Sequence, residues 1–164
     1  MSPREHLELI VSPNLRELRE GYGDIRHAFN AIAAVDALAG HIWRWCRDHA
    51  PQEIVGAKND IGFKQRLAEA NADFALVRDM AKAQKHVHLD HGAPALKGAD
   101  QIEARRMGWG QARWGEGRWG SPQQVVVETD LGEVRVVEAV LGRALMFLEC
   151  EMERVGITPS TSTG

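Results

Sequence analysis

His86, His88, Asp90 and His91 fall close together in the order His-x-His-x-Asp-His. Imidazoles and a carboxylate converging on one point would hold a zinc or iron ion and turn its bound water into a nucleophile. Spacing alone does not make them converge. If the helical pattern ahead of them ran on through the cluster, neighbouring side chains would diverge by about 100° each. Only His88 and His91, three apart, would then share a face. The competing reading is a polar helix end whose imidazoles sit near its last carbonyls. The four residues are therefore candidate ligands to which no metal is assigned, and the rest of the chain calls for no cofactor.

The same cluster resembles the metal-binding signature of the metallo-β-lactamase superfamily, which implies a hydrolase with one or two metal ions. In that family the His-x-His pair follows a β-strand, and further His and Asp ligands come from later loops. Here an amphipathic helical pattern precedes the motif, no histidine follows His91, and 164 residues is short for a four-layered αββα fold. The match is treated as a coincidence, with a metal-dependent hydrolase kept as an alternative. Arg44 and His49, with four residues between them, resemble the Arg-x4-6-His motif of HEPN-type helical ribonucleases. That resemblance implies the pair, contributed by two protomers, flanking a phosphodiester. Trp45 stands where those proteins commonly carry a polar residue. Arg78 to His86 is one residue too long for the same spacing.

A second group of residues suits recognition rather than catalysis. Residues 108–120 read GWGQARWGEGRWG, with Trp109, Trp114 and Trp119 five apart and Arg113 and Arg118 ahead of the last two. A period of five is neither helical nor strand-like. Glycines allow tight turns between the rings, and each ring can bury a large apolar area. The rings are expected either to cover the helices or to meet a partner. These five residues are the candidate interaction site, since Trp and Arg are the types that dominate binding hot spots.

Elsewhere the chain offers little chemistry. It holds no Gly-rich phosphate loop ahead of a helix, no Ser nucleophile in a strand-turn-helix context and no Cys-x-x-Cys. Arg78, Lys82 and Lys85 follow helical spacing and are expected to form a solvated face. Asp36 and His41 lie among apolar residues and read as hydrogen-bonded core groups or a subunit contact. Formal net charge is -3, so the whole chain is no polycation, and nucleic acid is not an expected partner. Charge is nonetheless uneven. Lys97, Arg105, Arg106, Arg113 and Arg118 outnumber Asp100, Glu103 and Glu116, whereas residues 123–154 carry seven acidic and three basic side chains. Two cysteines, Cys46 and Cys150, read as reduced, buried thiols rather than a disulfide framework. With no signal-like N-terminus and no run of about 20 apolar residues, a cytoplasmic location and no membrane contact are expected.

The elements that must position these residues are mostly helical. A short helical turn is expected over 15–20 and a long helix from Asp24, as N-cap, to about Asp48. A second long helix starts near Asn59 or Asp60, with Phe63, Leu67, Ala70, Phe74, Val77 and Ala81 on one face. Residues 92–122 carry no apolar period. Val125 to Val127 and residues 133–136 read as a hairpin around Thr129-Asp130-Leu131-Gly132, and a third helix spans 137–154. The fold class is thus mainly α: an antiparallel bundle of about three long helices with a small β-hairpin before the C-terminal helix. One domain covers 1–157, and 158–164 is a polar tail expected to be disordered. Lys85-His86, the Trp-Gly repeats and VVVETDLGEVRVVEAV together resemble an uncharacterised bacterial family of helical proteins with a Gly/aromatic-rich stretch and a hairpin-helix terminus. That resemblance implies no activity. The function remains unknown from sequence; the expectation is a non-enzymatic homo-oligomer acting through protein contact.

Overall fold

The computed structural model describes residues 1–86, 89, 94–108, 113–116 and 123–158. Ser2 opens it with a capping box: its hydroxyl accepts from the Glu5 N–H while the Glu5 carboxylate accepts from the Ser2 N–H. Helix α1 (Pro3–His6) runs through one π turn, Leu7–Val11, into α2 (Ser12–Glu20). The helix therefore starts well before the expected residue 15. Pro13 lacks an amide donor and its ring crowds the preceding turn. A widened turn immediately ahead of it, with the Ser12 N–H bonded to the Leu7 carbonyl, lets the helix pass. Leu7, Val11, Leu15 and Leu18 keep three-and-four spacing and are all buried.

Helix α3 (Ile25–His49) begins where the sequence places it: Asp24 Oδ1 accepts from the Arg26 N–H at 2.8 Å. Its inward face, including Ile32, Val35, Leu38 and Ile42, is fully buried. The expected second long helix is in fact two, α4 (Asp60–Ala70) and α5 (Ala72–Lys85). Asn71 between them is extended at φ -145, ψ 116, and its side chain accepts from the Phe74 N–H at 2.8 Å. A short amide is better at capping a new helix than at continuing an old one. The apolar period survives because Phe63 and Leu67 on α4 and Phe74 and Val77 on α5 enter the same core.

The hairpin is also larger than expected. Strands β2 (Gln124–Glu128) and β3 (Val134–Val136) pair around a turn in which the Gly132 N–H bonds the Thr129 carbonyl, with Gly132 at φ 76. A third strand, β1 (Ile102–Arg105), joins the free edge of β2 to give a sheet of order β1-β2-β3, antiparallel throughout, with Ile102 opposite Val127. The segment read as irregular thus supplies the strand that stabilises the hairpin from within the chain. Helix α6 (Val137–Arg154) follows β3 directly and packs on both α3 and α5. The protein is mainly helical with a small three-stranded antiparallel sheet, and no described helix is long and apolar enough to cross a membrane. Cys46 is buried as expected, but Cys150 is exposed.

Candidate interaction surface

Residues 113–116, part of the Trp-Gly repeat, form a turn closed by the Glu116 N–H on the Arg113 carbonyl at 3.0 Å, with Gly115 at φ 83. Among the described residues this turn is anchored by a carboxylate. Glu116, the only acid in residues 108–120, has a side chain 2% exposed. Its Oε1 accepts from Arg135 Nε at 3.0 Å and Arg143 Nη2 at 2.6 Å, and its Oε2 accepts from the Val136 N–H at 3.2 Å. Asp73, on the first turn of α5, completes the cluster, accepting from Arg135 Nη2 and from Arg143 Nε, each at 2.8 Å. Two cations thus meet two anions where β3, α5, α6 and the turn come together. Burial alone pushes the Glu116 and Asp73 carboxyls up, but the two arginines outweigh it and hold both below the ordinary carboxylate range.

The anchored turn presents Trp114 to solvent: its side chain is 86% exposed. Of the two outcomes expected for the rings, covering the helices is therefore not the one this ring takes. Beside it, between Gly115 and the outer face of α6, runs an open groove of about 570 Å³. Ala139 and Gly142 leave room in it because they carry almost no side chain, and Leu145 and Met146 give it apolar lining. Met146 is 67% exposed. Arg19, 3.4 Å from Glu138, lines the groove together with Arg143 and Glu149, so both signs of charge border one apolar floor. A concave apolar centre with a polar rim is the anatomy of a protein contact.

Of the other interaction candidates, Arg113 is exposed and lies 4.0 Å from Glu133; Trp109, Arg118 and Trp119 lie outside the described residues. So do His88, Asp90 and His91 of the candidate metal cluster. His86 is described: α5 ends at Lys85, and His86 is its extended C-cap, exposed, with its N–H on the Lys82 carbonyl. The motif thus begins where the helix stops. Among the described residues no group of three or more His, Cys, Asp or Glu side chains could hold a metal ion. Arg44 and His49 both sit exposed near the end of α3, Arg44 paired with Asp48 and His49 stacked on Trp45. Asp36 pairs with Lys64 at 2.7 Å, and His41 stacks on the buried His6. Arg78, expected on a solvated face, is buried at 7% exposure.

Sequence reasoning missed the Asp73–Glu116–Arg135–Arg143 cluster because its members are far apart along the chain and sit in four different elements. One signal was available: a lone carboxylate inside a Gly, Trp and Arg segment. No protein-family model, curated protein or solved structure matches this chain, so the geometry alone carries the functional reading.

Proposed function

We propose that this chain is a non-enzymatic cytoplasmic protein that acts through protein contact, and that its first partner is a second copy of itself. The observation that carries the reading is the placement of an 86% exposed Trp114 next to an apolar groove of about 570 Å³ on the same face. A knob beside a hole is what a two-fold interface requires, because each copy then offers both halves of the contact. The rim is compatible with a like partner as well, since it carries both arginines and glutamates and two copies can pair charges of opposite sign. An indole carries roughly 150–250 Å² of surface, and full burial would contribute about 4–6 kcal/mol. Symmetry doubles that contribution, which sets it against the cost of association.

In this reading the helices, packed as an antiparallel bundle, are a scaffold, and the buried Glu116 holds Trp114 in a presented position. Analytical ultracentrifugation tests it directly. The wild-type chain should sediment as a dimer at about micromolar concentration, and Met146→Glu, which places a charge on the groove wall, should sediment as a monomer with an unchanged far-ultraviolet circular dichroism spectrum. Trp114→Ala should weaken the dimer likewise. A wild-type chain that stays monomeric at about 100 μM, far above the affinities of specific complexes, would end the proposal.

A further inference from the structure

A separate cleft of about 580 Å³ lies among α3, α4 and α5, on surface that the interaction groove does not share. That volume is typical of small-molecule sites. Arg78, Lys82 and Lys85 stand at positions i, i+4 and i+7 of α5 and so share one helical face, and all three line the cleft with His86 at its rim. Lys64 is neutralised by Asp36 at 2.7 Å, and Lys82 leans to Asp79 at 3.3 Å. Arg78 and Lys85 remain as cations with no ion pair among the described residues, facing Asp60 alone as a further lining carboxylate.

Arg78 is the informative group. Two arginines in this protein are equally buried, each at 7% exposure. Arg135 is matched by Glu116 and Asp73. Arg78 has, among the described residues, one hydrogen bond, from Nη1 to the neutral Gln65 Oε1 at 2.8 Å. A guanidinium taken out of water without a paired countercharge is costly to hold, and here it opens on a cleft it shares with Lys85, with Asp60 as a further lining carboxylate. A bound anion removes that cost. Planar, multiply donating guanidinium beside flexible ammonium groups is the donor set that takes phosphate.

We infer that this cleft binds a small phosphorylated organic molecule, its phosphate held by Arg78, Lys82 and Lys85. Ile61, Ala81 and Leu89 line the same cleft and give the organic part an apolar wall, and Asp60 offers an acceptor for a hydroxyl or amino group. A nucleic-acid strand is disfavoured because the positive charge is confined to one cleft on a chain of net charge -3.

Isothermal titration with inorganic phosphate, ribose 5-phosphate and AMP, alongside a short single-stranded RNA, tests the inference on the full chain. At least one organic phosphate should bind the wild type more tightly than inorganic phosphate does. The double variant Lys82→Gln/Lys85→Gln, both on the surface, should weaken that binding by about tenfold or more with an unchanged melting temperature. Arg78→Met should abolish it. Failure of all three phosphates to bind at about 10 mM, far beyond ordinary ligand affinities, would overturn the inference. So would affinities the variants leave unchanged, or RNA binding without binding of the small phosphates.

Discussion

Replacing Glu116 by Gln keeps the shape of the side chain and removes its charge, which isolates what the carboxylate does. Glu116 and Arg135 have side chains 2% and 8% exposed, so their attraction is little screened by solvent. Breaking a buried pair by deleting one partner typically costs about 3–5 kcal/mol, because the other charge is stranded. Two features place this case at the low end. Asp73 still contacts Arg135 at 2.8 Å, and Arg143 is 40% exposed and can turn to water. A loss of about 3 kcal/mol is expected, which for a chain of this size lowers the melting temperature by roughly 6–12 °C. Thermal unfolding followed by circular dichroism reads it. Glu133→Gln is the control, since Glu133 lies 3.8 Å from Arg135 but is 51% exposed; it should change stability by no more than about 0.5 kcal/mol. Adding Arg135→Met to Glu116→Gln should return part of the loss, because the stranded cation is what costs. If Glu116→Gln and Glu133→Gln melt together, the turn is held by something other than this cluster.

The same cluster sets a pH dependence. Glu116 and Asp73 are held below their unfolded values, so the stability they add is complete above the ordinary carboxylate range and drains as pH falls through their depressed native values. Between pH 7 and pH 3, urea titrations should show a smaller loss for Glu116→Gln than for the wild type. Asn71→Ala removes the cap of α5 and should cost about 1 kcal/mol by the same titration. Asp36→Asn leaves Lys64, 15% exposed, without its partner and should cost about 2 kcal/mol, less than a fully enclosed pair because both line an open cleft. Replacing both, as Asp36→Leu/Lys64→Met, should be milder than the single change.

Local signals carried the sequence reading as far as local physics reaches. Asp24 caps α3 and residues 137–154 form α6 because capping chemistry and a 3.6-residue period are settled within a few turns. The break at Asn71 was hidden because the apolar residues on either side keep their period through it, and only the amide's preference for capping marks the spot. Strand β1 was hidden for a different reason. IEAR is too short to show an alternation, and it becomes a strand through pairing with Val125 to Val127, a contact 20 or more residues away. Trp114 shows the limit of composition. A large ring in a loop reads as an anchor, yet here it is presented by a carboxylate that its own segment supplies.

That inversion bears on how charge should be weighed in this molecule. Arg135 and Arg78 have the same exposure, and sequence gives no reason to treat them differently. Their partners separate them. Arg135 is held by two carboxylates, and Glu116 also accepts from the Val136 amide of the same strand, so its charge is matched within the chain and the group serves the fold. Arg78 borders an open cleft with a carboxamide as its only described hydrogen-bond partner. A fold gains nothing from an uncompensated buried cation, since Met in its place would fill similar volume without the desolvation cost. Arg78→Met should therefore raise the melting temperature of the ligand-free chain or leave it unchanged. A fall of several degrees would show that the guanidinium holds α4 to α5 through Gln65, and that its burial is structural after all.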